Sequence, residues 1–201
     1  PPPLPKTVLD QRLDERIRKL SSHALAIVAL ARLSHEKGLD LLLHAAAKLR
    51  RQGIDCSVTI FGEGEERDRL QSLIQALELA PFAHLAGYVA DGWSQLPRFN
   101  CLAIPSLAEA CPLVALEGMR AEIPIVASMA GGLPGLLGRG QFGQLFPIAN
   151  TDALCLALTN VANYTEEVRQ MTCASRAVVQ ENYTSARMAD AYERLYREMV
   201  G

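Results

Sequence analysis

SLAEACPLVALEGMRAEIPIVASMAGG, residues 106–132, sets two glutamates, Glu109 and Glu117, on either side of seven mostly small or apolar residues. Pro112 stands between them, and proline suits the first turn of a helix because an N–H there would find no partner inside the helix. Pro124 cannot continue that helix. Ile123, Ile125, Val126 and Ala127 then read as a short buried strand, with residues 128–132 as the loop beyond it. One carboxylate therefore precedes a helix N-terminus and a second lies inside the helix. A glycine-bearing loop follows the next strand. In an α/β domain such loops converge at the carboxyl ends of the strands, where ligands bind.

Outward from this stretch the same unit repeats. Residues 23–30 (HALAIVAL), 56–61 (CSVTIF), 84–89 and 101–104 (CLAI) contain short apolar strands, and 143–147 can add a last one. Between them, residues 39–52 place Leu39, Leu42, Leu43, Ala46 and Leu49 at helical spacing, closed by Gly53. Residues 66–79 turn Leu70, Leu73, Ile74 and Leu77 inward, and 91–99 form a short helix. Helices follow at 151–161, with Thr151 and Asp152 near the N-cap, at 166–180 and at 185–199. Residues 31–38 (ARLSHEKG) read as a polar loop and 133–146 as irregular. Residues 1–6 (PPPLPK) are a proline-rich lead-in, and 10–20 are at most a surface helix. Unbroken apolar strands alternating with amphipathic helices predict a doubly wound, Rossmann-like α/β domain whose parallel sheet is covered on both faces.

Composition narrows the function. The 201 residues carry a formal charge of −2 and are 49% hydrophobic but only 5% aromatic, so one core of ordinary size is built mainly from Leu, Ala, Val and Ile. Near-neutral charge argues against nucleic acid as a partner. No apolar run reaches the ~20 residues of a membrane span, and PPPLPK lacks the basic and apolar regions of a signal peptide. Cys56, Cys101, Cys111, Cys155 and Cys173 are odd in number and form no C-x-x-C pair. They fit a reducing, cytoplasmic setting in which cysteine serves as a small core residue. His23, His35, His44 and His84 show no H-x-x-x-H spacing, so no metal site is expected. Neither a G-x-x-x-x-G-K-[ST] loop nor a G-x-S-x-G elbow is present.

Three sets of residues can carry chemistry. Arg32 and Lys37 put two cations after the first strand, with Lys37 beside a helix N-terminus. Arginine clamps two phosphate oxygens and lysine adds a mobile charge, so a diphosphate is the natural ligand. The alternative is a solvated basic loop, since Glu36 lies there too. Gly62-Glu63-Gly64 after the second strand lets backbone approach a ligand or simply turns the chain. Glu109 and Glu117 suit sugar and ribose hydroxyls, because a carboxylate accepts two hydrogen bonds from a vicinal diol. Alternatively they are a capping acid and a helix-surface acid. Glu117, among Leu113, Val114, Leu116 and Met119, is expected on a partly buried face, where a carboxylate needs a partner.

In order, ARLSHEKGLDLLLHA, IFGEGEERDRL, HLAGYVADGWSQL and IPSLAEACPLVALEGMRAEIPIVASMAGGLP resemble four segments of glycosyltransferase family 4. Those segments are G-R-L-x-x-x-K-G, G-x-G-P-x-x-x-x-L, F-x-G-x-V-x-x-x-x-x-x-x-L, and the P-S-x-x-E-G-F-G block with its second glutamate, E-A-M-A. The resemblance runs from about Ala26 to Met199 and implies the C-terminal, donor-binding half of a GT-B glycosyltransferase. It implies that Arg32 and Lys37 hold the diphosphate, Glu109 faces the transferred sugar and Glu117 holds the ribose. The backbone N–H groups of Leu113 and Val114 would reach the phosphates, and Gly87, Tyr88 and Val89 would border the base; Gly62, in the glycine turn after the second strand, is counted with the nucleotide-binding residues. The family retains anomeric configuration and generally needs no bound metal. This sequence departs from its pattern at Ala31, Glu65, Ala110, Cys111, Pro112 and Gly135.

The resemblance further implies that residues 1–22 are an interdomain linker and 23–201 the donor domain. A GT-B enzyme also has an N-terminal, acceptor-binding domain, which is missing here, so the isolated domain is expected to transfer little or nothing. No cofactor is expected. The donor would be a nucleotide-sugar, UDP- or GDP-linked, and the acceptor a saccharide or lipid-linked glycan in polysaccharide, lipopolysaccharide or glycolipid assembly. Peripheral association with the inner face of a membrane would run through the absent domain. A UDP-sugar epimerase of the same fold and a degenerate, non-catalytic interaction domain are the other readings.

Overall fold

The computed structural model describes residues 25–163 and 166–200, so the expectations for residues 1–22 and for His23 fall outside it. Among the described residues there are six strands: β1 (Leu25–Leu30), β2 (Cys56–Phe61), β3 (Ala83–Gly87), β4 (Cys101–Ile104), β5 (Ile125–Ser128) and β6 (Gln144–Phe146). The helices are α1 (Leu39–Arg51), α2 (Arg67–Ala76), α3 (Leu113–Arg120), α4 (Leu133–Leu136), α5 (Thr151–Ala162), α6 (Glu166–Asn182) and α7 (Ser185–Val200). The strands form one sheet in the order β3-β2-β1-β4-β5-β6. Every pairing is parallel. The predicted doubly wound α/β architecture is the one observed.

Period-two alternation makes the sheet two-faced. In β1, Leu25, Ile27 and Ala29 join a core with α1, α2 and α5, while Ala26 and Val28 point to the opposite core, with α3 and α4. β4 divides likewise, Cys101 and Ala103 on one side and Leu102 and Ile104 on the other. Burial pushes the Cys56 thiol up to about 11 and the Cys101 thiol higher still, so both act as inert core residues. α7 is different. All its described side chains are exposed, among them the apolar Met188, Tyr192, Leu195, Tyr196 and Met199. Among the described residues no helix is long and apolar enough to cross a membrane.

Several local expectations need correction. Pro112 occupies the N-cap, not the first turn, and α3 starts at Leu113. That helix ends well before Pro124, because Glu122 takes a left-handed conformation (φ 55°). Its N–H donates to the Met119 carbonyl at 3.3 Å and that of Ile123 to Gly118 at 3.2 Å, which satisfies the last turn. The polar loop after β1 contains a 3-10 turn at His35–Lys37, and the short helix before β4 is a 3-10 helix over Gly92–Arg98. Residues 133–146, expected to be irregular, include α4 and a 3-10 turn at Gly138–Gly140. The N-cap of α5 is Asn150, whose side chain accepts from the Ala153 N–H.

Asn100 joins the two central strands. Its side-chain oxygen accepts from the Ala26 N–H at 2.6 Å, and its own N–H donates to the Ala26 carbonyl at 3.1 Å. Ala26 is fully buried. Asn100→Ala leaves that N–H without its acceptor and is expected to cost about 1–3 kcal/mol, read as a fall in Tm. Asn100→Asp keeps an acceptor and should retain most of the stability.

Candidate functional site

β1 and β4 are neighbours, but the chain leaves them in opposite directions, towards β2 and towards β5. Their carboxyl ends therefore open a crevice that no connection crosses. A cavity of ≈ 310 Å³ lies there, with Ala31, Arg32 and Lys37 on the β1 side and Pro105, Ser106, Glu109, Leu113 and Val114 on the β4 side.

The loop from β4 to α3 is held from both sides. Gly38 ends the 3-10 turn after β1 with φ 58°, and a Cβ there would lie 2.2 Å from the Pro105 carbonyl oxygen. The Glu36 carbonyl accepts from the Leu107 N–H at 2.8 Å. On the other side, a Cβ on Gly131 would lie 1.5 Å from the Glu109 carbonyl oxygen, and one on Gly132 would lie 2.2 Å from that of Ala110. The buried Ser128 hydroxyl donates to the Ser106 carbonyl at 2.5 Å. Only residues without a side chain let these backbones approach so closely.

This clamp presents Glu109 to Lys37. Lys37 Nζ donates to Glu109 Oε2 at 2.8 Å, and Ser106 Oγ donates to the same oxygen at 3.2 Å. The two charged side chains are 22% and 13% exposed. Glu109 Oε1 has no partner among the described residues and stays available as an acceptor. Arg32, 67% exposed, pairs with Glu36 of its own loop at 2.6 Å. The first-turn N–H groups of Leu113 and Val114 have no partner among the described residues. The site thus offers a cationic pair of side chains and a helix N-terminus facing one carboxylate. That combination can hold an anion beside a hydroxyl-bearing group.

The predicted residues divide into three groups. Arg32, Lys37, Glu109, Leu113 and Val114 come together in the cavity. Glu117 does not line it. It lies one helical turn beyond Leu113, about 5–6 Å away by helix geometry, on a second cavity of ≈ 680 Å³ lined by Trp93, Ser94, Pro97, Arg120 and Ala121. Burial raises its carboxyl above its ordinary value, and no side-chain partner for it is found among the described residues. Gly62, Gly87, Tyr88 and Val89 line neither cavity. The Gly62 N–H donates to the Gly87 carbonyl at 2.8 Å, joining the ends of β2 and β3. Tyr88 is 74% exposed, and Val89 packs against the core. Ser106, Trp93 and Arg120 were not among the predicted site residues. Ser106, three positions before Glu109, carried a usable signal; Trp93 and Arg120 gained their position only through folding.

Residues 10–178 match the family model described as Glycosyl transferases group 1. The chain is 27% identical over 175 residues to alpha-D-kanosaminyltransferase of Streptomyces kanamyceticus, covering 86% of this chain and 45% of that protein. It is 26% identical over 199 residues to the amylovoran biosynthesis glycosyltransferase AmsK of Erwinia amylovora, covering 92% of this chain and 48% of that protein. The chain therefore spans about half the length of the curated relatives it matches. In fold it is similar to Anabaena Alr3699/HepE, whose crystal structure contains UDP-glucose, with a TM-score of 0.83 at 18% identity, covering 97% of this chain and 54% of that one.

The clamp has a direct test. Gly131→Ala forces the Glu109 loop away and is expected to cost at least about 2 kcal/mol in urea denaturation. Gly135→Ala, with nothing within 4 Å of its added Cβ, should be neutral or slightly stabilising.

Proposed function

The chain belongs to the glycosyl transferases group 1 family, and on that premise we propose that it is the C-terminal, donor-binding domain of a retaining family 4 glycosyltransferase. It would transfer a sugar from a UDP- or GDP-linked donor to a saccharide or lipid-linked acceptor held by a second domain. The observation that carries this reading is the Lys37–Glu109 pair facing the α3 N-terminus at the β1/β4 crevice. The Anabaena neighbour's bound UDP-glucose supports a nucleotide-sugar as the ligand.

In this reading the diphosphate sits between Lys37, Arg32 and the N–H groups of Leu113 and Val114. As the bond from the sugar anomeric carbon to the phosphate oxygen breaks, negative charge grows on the departing nucleoside diphosphate. Fixed cations and helix amides stabilise that charge without reorganising. Glu109, whose one oxygen stays with Ser106 when the donor's phosphates draw Lys37 away, uses the other to accept a hydroxyl of the donor sugar. Glu117 accepts the ribose diol. An incoming diphosphate competes with Glu109 for Lys37, so the resting pair screens a cation that donor binding redirects.

Calorimetric titration with UDP, GDP and ADP is expected to show binding of at least one, with none at millimolar concentration overturning the reading. Lys37→Ala and Arg32→Ala should weaken UDP far more than uridine. Equal losses would mean that neither side chain touches phosphate.

Glu117 supplies a pH signature. Its carboxyl is raised in the folded state, so folding binds the proton more tightly than the unfolded chain does. Stability from this group is present in acid and lost as pH rises from the ordinary carboxylate value through the raised one. Glu117→Gln should therefore keep or raise Tm at pH 7 and flatten its acid-side dependence, while UDP affinity falls about tenfold. A lower Tm with unchanged UDP affinity would contradict both roles.

A further inference from the structure

We infer that Trp93 is the platform on which the donor's nucleobase stacks, an inference that rests on the donor-domain reading and extends it to a residue with no assigned role. The order of groups along α3 points there. In the proposed function Leu113 and Val114 take the diphosphate and Glu117 the ribose; the first two line one cavity, and Glu117, one turn on, lines the other. A base attached to that ribose enters the cavity that Glu117 borders, and the facing wall of this cavity is the 3-10 helix Gly92–Arg98 with Trp93 at its start.

Trp93 presents the surface a base requires. Its side chain is 57% exposed, a large apolar ring left open on the cavity. Indole stacks on any base, because every base has a π-face. The ring is also carried on a fixed support. Leu96, one turn further, is fully buried, and Phe99 meets the Phe61 ring edge-on with centroids 6.2 Å apart. The Asp91 carbonyl accepts from both the N–H and the hydroxyl of Ser94, at 2.9 and 2.7 Å, fixing the first turn. The backbone that carries the ring is thus already ordered, which leaves only the side chain to be fixed when a base lands on it. Tyr88, the aromatic residue that the family resemblance places near the base, lines neither cavity.

Trp93 is the chain's single tryptophan, so its fluorescence reports on this position alone. Titration with UDP and GDP, followed by fluorescence and by calorimetry, is expected to give saturable quenching with the same Kd by both methods. Trp93→Ala should weaken whichever nucleotide binds by roughly tenfold or more, leave pyrophosphate affinity unchanged, and retain the wild-type Tm within a few degrees. Trp93→Phe, which keeps a ring, should recover most of the loss. Calorimetric binding with unchanged fluorescence, or Trp93→Ala with wild-type affinity, overturns the platform while leaving the donor domain standing. Equal loss of pyrophosphate and nucleotide in a folded Trp93→Ala also overturns it. No binding of any nucleotide to the wild type overturns the donor reading, and the platform with it.

Discussion

The contact between the Glu109 carbonyl and the α-carbon of Gly131 decides where the Glu109 carboxylate stands. A Cβ at Gly131 would fall 1.5 Å from that oxygen, so this approach exists only because the residue has no side chain. Gly38 makes a matching approach to the Pro105 carbonyl from the other side. Between them the β4–α3 loop is held at Pro105 and at Glu109–Ala110, and the glutamate it carries is bonded to Lys37, 72 positions earlier in the chain. The sheet order supplies the remaining condition. β1 and β4 are adjacent at the point where the winding reverses, so the crevice at their ends stays open.

That placement has an electrostatic consequence. A lysine and a glutamate that are each largely withdrawn from water attract strongly, but both have given up hydration to meet. Ser106 supplies a second donor to the same carboxylate oxygen, which compensates part of that cost. The free amide groups at the start of α3 add a positive field on the same crevice. In the proposed role the ligand-free site is thus already arranged for a diphosphate, and the donor's phosphates replace Glu109 as the main anion beside Lys37.

The strands and the longer helices were legible because their apolar spacing is a local property. Leu39, Leu42, Leu43 and Leu49 fall on one face whatever the rest of the chain does, and all are buried. The ends of α3 were less legible. Glu122 adopts a left-handed turn that glycine normally takes, so the helix stops before the proline that marks a stop in sequence. Within the site, the loop residues Arg32, Lys37 and Glu109 were visible as charges beside strand ends. The direct bond between Lys37 and Glu109, by contrast, is a product of folding. The separation of Glu117 from them follows from helix rise: four residues carry it a full turn along α3, to a different cavity. Trp93 shares a cavity with Glu117 only because its 3-10 helix packs beside α3, a tertiary arrangement that no local pattern announces.

The Lys37–Glu109 pair at the clamped β4 loop is proposed as the diphosphate site. A crystal structure of the protein with UDP bound tests it most directly. The expected result is a diphosphate within hydrogen-bonding distance of Lys37 Nζ and of the Leu113 and Val114 N–H groups, with the ribose at Glu117 and the β4 loop unmoved. UDP bound elsewhere, with the Lys37–Glu109 bond intact and its phosphates away from the α3 N-terminus, would rule this pair out as the diphosphate site.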